Sequence, residues 1–164
     1  MELILAEEAA TTSAGAALAR QLPDLAQQNL LLGLSGELGS GKTTLARGLL
    51  RALGVTGAIK SPTFTLVEPY ETSRGPVHHL DLYRLDAGLP ALDGIGFRDI
   101  RGQPGLVIVE WPERAGRAFG KPDLLVNLEH EGLMRRISLV TGSPGGIAWL
   151  AASRALLEEC GVSR

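Results

Sequence analysis

Cysteine is almost missing from this chain: Cys160 is the only one in 164 residues. A single thiol excludes an internal disulfide, which suits a reducing compartment. Nothing beside it in the sequence suggests activation, so it reads as a spare thiol. No stretch reaches the ~18 uninterrupted apolar residues of a membrane span, so no membrane association is expected. The opening Met1-Glu2-Leu3-Ile4-Leu5-Ala6-Glu7-Glu8 carries acids where a secretory signal needs bases, and the expected location is the cytoplasm. An excess of positive charge is missing as well. Sixteen Lys and Arg stand against eighteen Asp and Glu, a net charge of -2. That balance argues against a strongly basic nucleic-acid binder. There is no internal repeat and no long low-complexity tract. What remains is a chain that is 45% hydrophobic, ordinary for a folded protein and long enough for one domain with a real core.

Against that plain background one run stands out. Gly36-Glu37-Leu38-Gly39-Ser40-Gly41-Lys42-Thr43 fits the phosphate-loop pattern G-x-x-x-x-G-K-[ST] at every fixed position. Its glycines let consecutive backbone N–H groups point inward at phosphate oxygens. Lys42 supplies a mobile charge for the outer phosphates, and the Thr43 hydroxyl is a ligand for Mg²⁺. The flanks agree. Leu30-Leu31-Leu32-Gly33-Leu34 is an apolar run of buried-strand length before the loop. Lys42 to Leu53 after it repeats leucine at Leu45, Leu49 and Leu53, with Gly54 as a stop, and predicts a helix.

Along the rest of the chain, Leu3 to Leu5 predicts a short strand. Glu7 to Gln21 predicts a helix with Ala14, Leu18 and Leu22 on one face, ended by Pro23. An extended segment is expected from Ser61 to about Tyr70, then a turn at Ser73-Arg74-Gly75-Pro76, then an alternating strand from Val77 to Leu85. Gly105 to Glu110 is the strongest strand, a continuous apolar run of the kind covered on both faces. Leu124 to His130 and Leu133 to Val140 predict a hairpin around Glu131-Gly132. Gly142 to Gly146 reads as a linker, and Ile147 to Cys160 as a terminal helix packing through Leu150, Ala151, Leu156 and Leu157. The expected fold is a three-layer α/β fold of the phosphate-loop NTPase type. Its central sheet is mostly parallel, with antiparallel edge strands. Residues 1–140 form the domain, and 141–164 form a C-terminal extension packed on it.

A phosphate loop needs an acidic partner for its metal at the C-terminal end of a neighbouring apolar strand. Glu110 is in that position; otherwise it is a solvated strand end. Asp81 is expected mid-strand between Leu80 and Leu82, where a carboxylate needs a cation, a metal or water. It orients an attacking water or shares the metal shell, or else it pairs structurally with Arg84 or His79. His79 and Tyr83 share its strand face, and His79 is either structural or functional. Trp111 packs beside the site or caps the core. Guanine-reading fragments are incomplete. Lys121-Pro122-Asp123 has Gly120 where Asn is needed, and Asp93-Gly94-Ile95-Gly96 follows Pro90-Ala91-Leu92 in place of an apolar strand. ATP is therefore expected over GTP.

Four blocks in order, GELGSGKTT at Gly36 to Thr44, SPTFTL at Ser61 to Leu66, HLDLYRL at His79 to Leu85 and VEWPE at Val109 to Glu113, resemble the bacterial TsaE family, also called YjeE. The resemblance covers roughly residues 6–140. It implies a small ATPase, slow without its partners, with ATP and Mg²⁺ as cofactors. It implies a role in forming N6-threonylcarbamoyladenosine at position 37 of tRNAs that read ANN codons. The implied partners are TsaD and TsaB; a separate enzyme makes threonylcarbamoyl-adenylate, and tRNA is acted on through the complex. By the same resemblance, Thr43 and Glu110 ligate Mg²⁺ and Lys42, Asp81 and Glu110 are catalytic. The nucleotide set is Glu37, Leu38, Gly39, Ser40, Gly41, Lys42, Thr43, Thr44 and Trp111, with Thr11 or Thr12 near the adenine. Ser61 to Thr65 resembles a nucleotide-responsive switch. A small-molecule kinase is the competing reading. It would need an arginine-rich lid, for which Arg98-Asp99-Ile100-Arg101 is the thin candidate. A nucleotide-gated binding module with little turnover is a third.

Overall fold

In the computed structural model, which describes residues 1–85 and 92–163, a single eight-stranded sheet carries helices on both faces. The strands are β1 (Glu2–Leu5), β2 (Asn29–Ser35), β3 (Val67–Thr72), β4 (Gly75–Asp81), β5 (Gly105–Glu110), β6 (Leu124–Glu131), β7 (Met134–Thr141) and β8 (Val162–Ser163). The helices are α1 (Glu8–Arg20), α2 (Lys42–Ala52), α3 (Phe97–Arg101) and α4 (Pro144–Cys160), and a 3₁₀ segment spans Pro112–Phe119. Strand order is β3-β4-β5-β2-β6-β7-β1-β8. The four central strands β4, β5, β2 and β6 are parallel, and every outer pairing is antiparallel.

The runs that look continuously apolar in sequence divide between two cores. On β2, Leu30, Leu32 and Leu34 join α1, α2 and α4 in the larger core. Leu31 points the other way, into a smaller core with Phe97 and Phe119. On β5, Leu106 and Ile108 take the first side, Val107 and Val109 the second. Strand alternation beneath helices on both faces is what demands hydrophobic residues at every position.

Helix α1 lies closely against α2. A Cβ built on Gly48 would sit 2.1 Å from the Thr12 carbonyl oxygen. Alanine at a helix interior ordinarily gains about 1 kcal/mol over glycine. Here overpacking costs about 1–3 kcal/mol, so Gly48→Ala is expected to destabilise by up to about 2 kcal/mol. Urea denaturation measures it; a raised midpoint would contradict this contact.

Several sequence expectations need correction. Residues 61–66 are not a strand but an irregular segment with a turn at 63–65, and β3 begins only at Val67. The cause is local: the Leu66 N–H donates to the Pro62 carbonyl at 2.7 Å and Leu66 adopts φ 65°. Strand β4 ends at Asp81, four residues short of Leu85, so Asp81 is a strand end and not mid-strand. Helix α4 starts at Pro144, inside the expected linker, because Ser143 caps it by accepting the Gly146 N–H at 3.0 Å and proline suits the first helical position. Ala151 faces solvent. The helix is instead anchored by Trp149, fully buried, whose indole N–H donates to the Leu18 carbonyl at 2.9 Å. Leu157 is buried beside it, and Leu150 and Leu156 pack against the same core. Cys160 is half-buried and its Sγ donates to Leu156; burial raises its pKa, which suits a quiet thiol.

Candidate nucleotide and metal site

Three parallel strands end side by side at one edge of the sheet. Asp81 closes β4, Glu110 closes β5, and the two are register partners. Glu110 also lies opposite Leu34, so the phosphate loop leaves β2 immediately above it. Open α/β sheets place their ligand crevices at this edge.

The loop then turns directly into α2. Gly36 has φ 138°, and a Cβ there would meet the Leu128 carbonyl oxygen at 2.1 Å, so only glycine fits. Gly41 stands at the N-cap position of α2 with φ 108° and contributes no side-chain cap. The first-turn N–H groups of α2 therefore lack a side-chain acceptor, and together with the helix dipole they favour an anion.

Lys42 is nearly buried. Its Nζ donates to the Gly36 and Glu37 carbonyls at 2.6 and 2.7 Å and lies 3.8 Å from the centre of the Trp111 ring. Trp111 reaches that position with a left-handed backbone, φ 60° and ψ 48°, uncommon for a bulky residue. It also stacks at a tilt on Tyr83, with 5.0 Å between ring centres. Trp111 thus packs beside the site. Burial lowers the pKa of Lys42 below the ordinary 10.5, opposed by the charges of Glu110, Glu113 and Asp81. Between the lowered value and 10.5 the unfolded chain holds more protons, so this group's contribution to stability rises with pH there. Anion binding moves oppositely, because the charge is lost. Nucleotide affinity is therefore expected to fall at alkaline pH before 10.5. Titration calorimetry at increasing pH checks this, with Lys42→Ala lacking that fall.

The carboxylates are held differently. Thr43 Oγ1 donates to Glu110 Oε2 at 2.9 Å. The other carboxylate oxygen, Oε1, lies 2.8 Å from His79 Nε2. Glu110 is buried, which excludes the solvated strand end. Asp81 pairs with neither Arg84 nor His79. Its Oδ2 accepts hydroxyls from Ser61 and Thr63, the latter at 3.0 Å, and its Oδ1 accepts the Tyr83 N–H at 2.8 Å. Arg84 instead sits over the exposed Phe64 ring. The Ser61 and Thr63 bonds were not foreseen individually, although two hydroxyls two residues apart in SPTFT are the signal.

These groups face one cavity of about 280 Å³. Leu38, Gly39, Gly41, Lys42, Thr43, Thr44, Asp81, Glu110 and Trp111 line it, joined by Ser61, Thr63 and Tyr83. Glu37 and Ser40 shape the loop through their bonds to Lys42 but do not line the cavity. A smaller hollow of about 150 Å³ adjoins it across Gly39, Gly41 and Thr44. Thr11 lines that hollow with Glu7, Glu8, Leu133 and Arg135; Thr12 does not, and bonds back to Glu8 within α1. Arg135 and Leu133 come from the β6–β7 hairpin. No local motif marks them, because the hairpin's register alone brings them there.

The residues fit a nucleotide's phosphates with Mg²⁺. An uncapped helix start with a lysine suits the anion. Thr43 and Glu110 offer two oxygen ligands 2.9 Å apart. Mg²⁺ takes one or two protein oxygens and completes its shell with phosphate and water, and these two oxygens match that need. The remaining fragments do other work. Asp123 accepts the Leu31 N–H at 2.7 Å at the start of β6, the far end of the parallel strands. Arg101 bonds Asn29 at that same far end, and Arg98 pairs with Asp93 at 3.0 Å. Neither arginine lines the cavity at the phosphate loop. Pro90 and Ala91, which precede the Asp93 fragment, lie outside the described residues.

A parallel α/β core, a phosphate loop running into an uncapped helix, and two acidic strand ends beside it define a phosphate-loop protein. A family profile described as "Threonylcarbamoyl adenosine biosynthesis protein TsaE" matches residues 5–137, and the chain belongs to the TsaE family. It is similar to the "tRNA threonylcarbamoyladenosine biosynthesis protein TsaE" of Haemophilus influenzae, 39% identical over 114 residues that cover 70% of this chain and 72% of that one. The protein of the same name from Synechocystis is 44% identical over 116 residues, covering 70% and 71%. Among solved structures, YdiB of Bacillus subtilis has a similar fold, with a TM-score of 0.62 at 24% identity over 98% of this chain and 93% of that one. Among the described residues no helix is long and apolar enough to cross a membrane.

Proposed function

We propose that this chain is a Mg²⁺-dependent ATPase that serves formation of N6-threonylcarbamoyladenosine at position 37 of tRNAs reading ANN codons. In this reading it works in the cytoplasm with TsaB and TsaD and meets tRNA through them. Membership of the TsaE family supports the pathway. The observation that supports the chemistry is the meeting of Thr43, Glu110 and Asp81 over the start of α2.

The nucleotide's phosphates lie along the first turn of α2 and its base enters the hollow beside Thr11. Lys42 exchanges the Gly36 and Glu37 carbonyls for phosphate oxygens. Thr43 and Glu110 hold Mg²⁺, which when bound neutralises charge on the phosphates. Asp81 orients the attacking water and accepts its proton at Oδ2, the oxygen that Ser61 and Thr63 hold by their hydroxyls. Movement of the Ser61 to Thr65 segment frees that oxygen, so its position is coupled to turnover. The kinase reading has less support, since neither Arg98 nor Arg101 lines the phosphate cavity.

Reconstitution tests the biological part. TsaB, TsaD, threonylcarbamoyl-adenylate and tRNA are mixed with and without this chain and Mg-ATP, and the modified nucleoside is quantified over several turnovers. Sustained product formation only with the chain and ATP is expected. Equal yields in both mixtures would overturn the assignment.

A further inference from the structure

We infer that His79 is a positioning residue for Glu110: it fixes the carboxylate so that one oxygen stays aimed at Thr43 and the cation. The inference rests on the metal-binding reading above and names a group that reading does not use.

His79 is completely buried on β4, two residues before Asp81. Its Nε2 stands 2.8 Å from Glu110 Oε1, while Oε2 accepts the Thr43 hydroxyl at 2.9 Å. The carboxylate is thus gripped at both oxygens, by a strand on one side and by the start of α2 on the other. Its plane is fixed by two contacts that are distant in sequence. The second ring nitrogen, Nδ1, is the one buried side-chain polar atom without a hydrogen-bond partner among the described residues. Leaving such an atom unsatisfied is costly, and a leucine at this position would avoid the cost. A carboxylate oxygen accepts, so the tautomer that satisfies the contact carries its hydrogen on Nε2 and donates to Glu110. A histidine behind a metal-binding carboxylate orients the ligand without touching the cation, and losing such support ordinarily lowers metal affinity about 10- to 100-fold.

Two amide variants of nearly equal polarity separate positioning from bulk. Gln extends its amide N–H to about the reach of Nε2; Asn is one methylene shorter. Mn²⁺ serves as the probe ion. Its affinity for the full chain with ADP is read by electron paramagnetic resonance, and ADP affinity is read separately in EDTA. His79→Gln is expected to hold Mn²⁺ within about threefold of the unaltered chain. His79→Asn is expected to lose 10-fold or more, with ADP affinity in EDTA unchanged for both. Equal Mn²⁺ affinity in the two variants overturns the inference. So does a parallel loss of metal-free ADP affinity, or failure of both variants to fold, since each assigns His79 to the core alone. If the unaltered chain with ADP holds no Mn²⁺, the metal reading itself falls, a result distinct from the others.

Discussion

Asp81→Ala should leave ATP bound about as tightly as before while turnover falls about 10²- to 10⁴-fold, the usual share of a positioned general base. Asp81 lines the phosphate cavity from the end of β4, but its bonds are to Ser61, Thr63 and the Tyr83 N–H and not to the phosphate loop. Removing it takes away little that holds the ground state. An interaction made mainly in the transition state lowers kcat and kcat/KM together. Titration calorimetry with ATP and single-turnover phosphate release are the paired measurements. Asp81→Asn is the companion variant, since it keeps the shape and an acceptor oxygen but removes the charge. Loss of binding and turnover in equal measure would assign Asp81 to structure.

Lys42→Ala should act on binding itself, weakening ATP about ten- to a hundredfold, the worth of one charge-assisted hydrogen bond of about 1.5–3 kcal/mol. The ammonium sits where the loop closes on itself, bonded to Gly36 and Glu37 and covered by Trp111. Its loss removes the charge and also frees two carbonyls to face the phosphates. Calorimetry showing unchanged ATP affinity in the variant would end the phosphate role of this loop.

The backbone frame of the candidate site is largely legible in the sequence. The loop at Gly36 to Thr43 depends on local rules: a strand, glycines that permit positive φ, then a helix start. Those rules are written in adjacent residues, so both β2 and α2 were readable to within a residue or two. The place of Glu110 was legible because it closes a wholly apolar strand beside the loop, but its burial against His79 and Thr43 was not, since both partners are distant in sequence. Thr11 against Thr12 was not decidable, since the choice depends on which face of α1 meets the groove. The partners of Asp81 were misread for a related reason. Strand β4 stops at Asp81, and Leu66, in a left-handed conformation, turns the SPTFT segment back so that its hydroxyls reach the carboxylate. Arg135 belongs to the same class, because hairpin register and not local sequence carries it to the groove. The Ser143-Pro144 start of the last helix lay inside the expected linker, and the anchoring role of Trp149 depends on its reach to the Leu18 carbonyl, a contact distant in sequence.

The proposed function has this chain turn over Mg-ATP under the control of partner proteins. Phosphate release from Mg-ATP, followed with and without purified TsaB and TsaD, tests it most directly. Slow, Mg²⁺-dependent release from the chain alone, accelerated by the pair and lost in Asp81→Ala, is the predicted result. Release that ignores the pair and requires an added phosphoryl acceptor would make the chain a kinase instead.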